Sequence, residues 1–157
     1  MGKARIAFRF GHYGDCYHGS QVQPDVPTVQ GEFMHIFKKK LKWTKERMPV
    51  PMASRTDSGV HVRQNGGFID IDQNRWDAMG EVGFMKAVGH QIPDTISLFD
   101  ARQVEDDWSP RRALHRTYRY RMECMEGWVE PELEDFKHLC SLFEGEHDWD
   151  NFCRRET

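Results

Sequence analysis

The chain has 157 residues, of which 38% are hydrophobic, 30% charged and 12% aromatic, and carries a formal net charge of -3. That is enough for one good core, or one domain and part of a second, and the balance excludes an intrinsically disordered chain. Residues 1–122 hold 19 Lys and Arg against 14 Asp and Glu, and the remainder 3 against 11, so the acidic total conceals a basic first three quarters suited to a phosphate-bearing partner.

The first residues alternate, with Ile6, Phe8 and Phe10 on one face and Arg5, Ala7 and Arg9 on the other, which predicts a strand. Lys3, Arg5 and Arg9 break up any signal-peptide or membrane-spanning run there, leaving the cytoplasm as the expected location. Residues 11–27, rich in Gly with Asp15, Pro24 and Pro27, read as a long loop. From Thr28, an N-cap after Pro27, the apolar residues Val29, Phe33, Ile36, Phe37 and Leu41 recur at helical spacing. Lys38, Lys39, Lys40 and Lys42 close that helix, where cations suit the negative end of the dipole, so a solvated helix end is the simpler reading than a phosphate contact.

A loop over 49–64 contains Ser54-Arg55-Thr56-Asp57-Ser58-Gly59-Val60-His61, and the following Asn65–Asp72 predicts a second strand with Ile69 and Ile71 inward. A second helix is expected from Trp76 to Val88, with Trp76, Met79, Gly83 and Ala87 in line, then a strand over 95–104. After a polar link, residues 116–124 alternate so that Tyr118, Tyr120, Met122 and Cys124 share a face, a strong strand pattern. The final helix, Pro131 to Glu144, places Leu133, Phe136, Cys140 and Phe143 on one side. This order favours an α+β fold with a largely antiparallel sheet. The domain reading is 1–104, a link over 105–115, and a second region over 116–157.

Cys16, Cys124, Cys140 and Cys153 form no C-x-x-C pair, so they are expected as reduced thiols used mostly in packing. Cys16 and His18 alone make no metal site.

Residues 54–61 resemble the G-R-T-D-x-G-V-H motif of the TruA-type tRNA pseudouridine synthases. Upstream, Tyr13–Gln21 and Thr28-Val29-Gln30 are similar to that family's Y-D-G-x-x-F-H-G-x-Q and T-V-Q. Phe99-Asp100-Ala101-Arg102, Arg116–Tyr120 and Gly145–Phe152 resemble its F-x-A-R, K-x-Y-x-Y and G-x-H-D-F-x-x-F blocks. Ser54 replaces the usual Gly, Ser20 a frequent Trp, Arg116 a Lys, and Gly14 and Asp15 are transposed. The resemblance implies a ferredoxin-like (RRM-like) first half and the start of a similar second half. It also implies further strands beyond Thr157 bearing a basic partner for the aspartate, so the chain reads as a fragment or one part of a split protein.

What the resemblance implies chemically is the isomerisation of uridine to pseudouridine in the tRNA anticodon stem-loop, with tRNA as partner and a homodimer as assembly. The reaction is redox-neutral, so no metal or organic cofactor is expected. Asp57 resembles the catalytic aspartate, which in isolation would read as a turn residue before Ser-Gly. Arg55 resembles the residue that enters the stack vacated by the flipped base, against the simpler reading of a surface salt bridge. Tyr118 resembles the tyrosine packed on the target uracil, while Tyr120 is assigned to packing. His61, Arg9, Arg119 and Arg121 are second-tier candidates for orienting the loop or holding tRNA backbone, and the acidic last helix is expected to face away from RNA. Two rivals stand beside this reading: a non-catalytic RRM-like RNA-binding module, and a hydrolase pairing Asp57 with His61.

Overall fold

The structure, a computed structural model, describes residues 2–44 and 50–152. Position 49, the first of the expected loop, and Cys153 lie outside the described residues. The chain divides into two compact units, Met1–Arg116 and Thr117–Thr157.

The first unit is α+β. Strand β1 (Lys3–His12) is central, flanked by β2 (Val62–Asp72) and β3 (Ile96–Val104), both antiparallel to it. The two-residue period of β1 sends Ile6, Phe8 and Phe10 to one side, where each is at most 2% exposed. Onto that side pack helix α1 (Val29–His35) and helix α2 (Gln73–Gly89) through Val29, Phe33, Phe84 and Val88. Their rings interlock: Phe33 lies 5.2 Å from Phe8 and 4.9 Å from Phe10, and Phe84 lies 6.0 Å from Phe8. Each buried aromatic contributes about 1.5–3 kcal/mol of transfer free energy.

Thr28 caps α1 by accepting the Gly31 N–H at 3.2 Å, as expected. The helix does not run on regularly to Leu41. It widens into a π-helical turn, Ile36–Lys40, whose extra residue keeps Ile36 and Phe37 on the core while the lysines reach its end. Helix α2 starts three residues before its expected position because Asp72 caps it, accepting from the Asn74 and Arg75 N–H groups. Gly80, at φ 56°, breaks the helical register, so Phe84 and Val88 are the buried residues rather than Gly83 and Ala87.

Beyond the outer edge of β2, Met52 forms a single antiparallel bridge with Gly67, and the Ala53 N–H donates to the Gly66 carbonyl at 2.8 Å. Counting that bridge as a rudimentary edge strand, the order and directions are those of a β-α-β-β-α-β, ferredoxin-like unit. The sheet's other face is occupied by charge. Asp70 accepts two hydrogen bonds from the Arg5 guanidinium, at 2.9 and 3.0 Å, and Arg9 pairs with Asp100. Arg5 also lies 4.1 Å over Phe68 and donates to the Asp106 and Trp108 carbonyls, fastening residues 105–109 to the sheet.

The second unit departs from expectation. Residues 116–121 are irregular and Met122–Cys124 is a short 3-10 turn, so the alternation there does not make a strand. A strand requires a neighbour for its backbone groups, and among the described residues none pairs with this segment. Tyr120, expected to pack, is 85% exposed. Helix α3 (Leu133–Ser141) forms within its expected span but buries no residue, since a unit this small cannot enclose a core. Its neighbours are ring contacts: Phe136 against Trp128 at 6.4 Å, and Phe143 stacked on Trp149 at 5.8 Å. Cys16, Cys124 and Cys140 are exposed free thiols rather than packing groups.

Candidate functional site

The segment between Val50 and His61 has no regular structure of its own, yet it is fastened to the first unit almost residue by residue. Gln30 donates to the Val50 carbonyl at 2.7 Å, and Arg116 donates to the Ala53 carbonyl at 2.9 Å. The buried Asn65 amide meets Ser54 twice, accepting its N–H at 3.2 Å and donating to its carbonyl at 2.8 Å. Ser20, 1% exposed, does the same for Thr56: its backbone N–H donates to the Thr56 carbonyl at 2.9 Å and its Oγ accepts the Thr56 N–H at 2.8 Å. The Ser58 hydroxyl reaches the Tyr17 carbonyl at 3.4 Å.

Asp57 itself opens a turn closed by the Val60 N–H on its carbonyl, 3.4 Å, with Gly59 at φ 79°. That is the type II geometry, in which the third position needs a positive φ and therefore glycine. The turn is hemmed in by two other glycines. A Cβ on Gly14 would come within 2.4 Å of the Gly59 and Val60 backbones, and one on Gly19, itself at φ 91°, within 2.8 Å of the Thr56 carbonyl. With the backbone held from within, the Arg55 and Asp57 side chains are left exposed. Among the described residues no hydrogen bond or ion pair occupies the Asp57 carboxylate.

His61 closes the segment. Its Nδ1 accepts the Gly14 N–H at 3.3 Å, which leaves the proton on Nε2, 3.4 Å from Asp15 Oδ1, and Tyr13 meets the ring edge-on at 6.1 Å. Both nitrogens are therefore engaged away from Asp57, and the acid-base couple of a hydrolase is not assembled. Beneath the turn lies His12, the last residue of β1, 6% exposed. Burial and the neighbouring His61 push its pKa down, against a hydrogen bond to the Val60 backbone that favours the proton.

The remaining candidates are placed differently. Arg9 is paired with Asp100, so it is not a free cation for phosphate. Tyr118, Arg119 and Arg121 belong to the second unit, where Arg121 pairs with Glu123 at 2.9 Å and Tyr118 is largely exposed. Ser20, Asn65, Gly14, Gly19 and His12 escaped sequence reasoning. The signal for Ser20 and the glycines was their place in the loop motif; nothing local marked Asn65 or His12.

The fold and this fastened loop define a ferredoxin-like α+β unit presenting an aspartate on a rigid turn beside its sheet. No protein-family model matches the chain. The curated proteins it is similar to are named tRNA pseudouridine synthase A. Identity is 30% with that of Archaeoglobus fulgidus over 96% of this chain, 31% with that of Thermococcus gammatolerans over 97%, and 30% with that of Geobacillus kaustophilus over 98%. The chain thus resembles TruA-type synthases over nearly its whole length. It spans 51%, 54% and 62% of those relatives, about half to three fifths of their length. Among the described residues no helix is long and apolar enough to cross a membrane.

Proposed function

We propose that this chain carries the aspartate-bearing part of a tRNA pseudouridine synthase, acting on uridine in the anticodon stem-loop. The observation that supports this best is the coincidence of the motif at 54–61 with a turn whose backbone is held on several sides while its aspartate is left exposed. Rigid support with an accessible reacting group is the arrangement that positional catalysis requires.

In the reaction the bond from N1 of uracil to the ribose C1′ breaks and a bond from C5 to C1′ forms. The C5 proton leaves and N1 gains one, so atoms and electrons balance without a redox partner. In this reading Asp57 is the carboxylate that acts on the nucleotide, and the base must first leave its stack, at about a few kcal/mol. Arg55, two residues earlier and exposed, is placed to enter the gap, its planar guanidinium serving both stacking and phosphate. His61 is assigned to holding the turn through Gly14 and Asp15. Tyr118 is assigned to packing on the uracil and Arg119 to tRNA backbone. A homodimer and a cytoplasmic location complete the proposal. The exposed lysines at the end of α1 and the basic balance of the first 122 residues suit a phosphate-rich partner.

The test is tRNA tritiated at uracil C5. The chain is expected to release tritium, and Asp57→Ala to reduce release to background while tRNA binding, measured at fixed salt, is retained. Equal tRNA binding with no release by the unsubstituted chain refutes catalysis by these 157 residues.

A further inference from the structure

His12 sits at the seam between the sheet and the Asp57 turn. It is the last residue of β1, paired in register with Val62 and Ile96. Its ring is stacked on Phe10 at 6.3 Å and met edge-on by Tyr17 at 5.9 Å. The hydrogen bond to the Val60 backbone favours the protonated ring, which is the signature of a ring N–H donating to a carbonyl. Nδ1 is buried with no hydrogen-bond partner, so the donor is Nε2. A neutral histidine satisfies this site with its single proton; a second proton, on Nδ1, would be buried without an acceptor, at a cost of about 1–3 kcal/mol or more for a charged group.

We propose that His12 is a positioning residue for Asp57: its neutral ring holds the Val60 carbonyl and so closes the Asp57–Val60 turn, and a proton gained at Nδ1 releases that turn. The inference rests on Asp57 being the reacting carboxylate, as proposed above. His12 stands three residues from that group through the turn and touches no substrate, so its action is on geometry alone.

The ionisable surroundings agree. From the loop, His61 faces the ring and opposes a second positive charge. From the 3-10 turn Gly14–Cys16, Asp15 meets His61 rather than His12. Tyr17 hydrogen-bonds Thr95 at 2.8 Å, and burial pushes its phenol up, away from neutral titration. Cys16 and Glu32 act on Tyr17, not on His12. β1 contributes Phe10, and the register partners Val62 and Ile96 are apolar. No carboxylate is therefore placed to stabilise a charged His12.

Imidazole nitrogen shifts of the 157-residue chain are expected to show His12 as the neutral Nε2–H tautomer. Lowering the pH from 8 is expected to move the backbone amides of Asp57–Val60 with the midpoint of His12, below 6.5, and to raise their hydrogen exchange about tenfold or more. His12→Phe, which keeps ring volume without a donor, removes that midpoint and leaves the amides fast at all pH. His12→Gln, which restores an amide donor near Nε2, recovers their protection without pH dependence. If His12→Phe fails to fold, the tautomer and the titration in the unsubstituted chain decide the matter. An Nδ1–H tautomer, or turn amides that follow only the midpoint of His61, overturns the proposal. Tritium release run in parallel separates the two readings. Absence of release by the unsubstituted chain removes catalysis while the coupling is still read from the amides. With release present, a fall in kcat at unchanged KM for His12→Phe, recovered in His12→Gln, is the positioning outcome.

Discussion

Ser20→Ala isolates the fastening of the Asp57 turn from the stability of the fold. Ser20 is 1% exposed and its Oγ accepts the Thr56 N–H at 2.8 Å, whereas its own backbone N–H still reaches the Thr56 carbonyl at 2.9 Å after substitution. Removing Oγ takes away one atom and leaves a negligible cavity, so the loss is the unpaired Thr56 N–H. Leaving a partly buried donor without an acceptor costs about 1 to 2 kcal/mol, which is about a 5- to 30-fold rise in the open population of the turn. Native-state hydrogen exchange reads this directly. The Thr56 amide is expected to speed up by that factor while amides inside β1, such as Ile6 and Phe8, stay within twofold. Unchanged exchange at Thr56 refutes the idea that Oγ holds the loop. Equal acceleration throughout β1 shows global destabilisation instead, which equally refutes a local fastening.

Gly14→Ala drives a Cβ to 2.4 Å from the Gly59 and Val60 backbones; neither is a flexible side chain, so a loss of about 1–3 kcal/mol is expected in urea unfolding. Phe33→Ala empties the centre of the aromatic cluster around Phe8 and Phe10 and is expected to cost about 3–5 kcal/mol by the same measurement. Burial alone would raise the Asp70 carboxyl, but hydrogen bonds from Arg5 and Lys3 outweigh it and hold the group below its ordinary range. A depressed folded-state pKa means that its stabilisation is complete above the unfolded value near about 4 and is lost as pH falls through the folded value. Unfolding midpoints followed from pH 6 to pH 2 should therefore drop more steeply for the unsubstituted chain than for Asp70→Asn. For His12, whose pKa is lowered by burial and His61, the unfolded chain binds the extra proton first, so its contribution fades as pH falls from about 6.5 toward the folded value.

The elements most readable from residues alone were those whose pattern and partners agree. β1 shows its period in Ile6, Phe8 and Phe10, and α1 shows its cap in Thr28, because both features act within a few residues of chain. Residues 116–124 carry an equally good alternation and are not a strand, because alternation states which face would be buried but cannot supply the ladder partner. Gly80 in α2 shows the same gap: a helical period read across it misassigned the buried residues, since a single backbone rotation resets the face.

The candidate site divides in the same way. The motif at 54–61 and its Asp-Ser-Gly turn are local, and Gly59 at positive φ is a requirement that sequence states directly. The tertiary structure alone decided what holds that turn. Ser20 meets Thr56 across 36 residues, Gly14 meets His61 across 47, and Asn65 reaches back to Ser54 across 11. His12, buried under Val60, bears no sequence mark of its position. The difference is one of range. Periodicity, caps and turn residues act through neighbouring backbone and are written in consecutive letters, whereas hydrogen bonds from distant segments exist only once the sheet has set their separation.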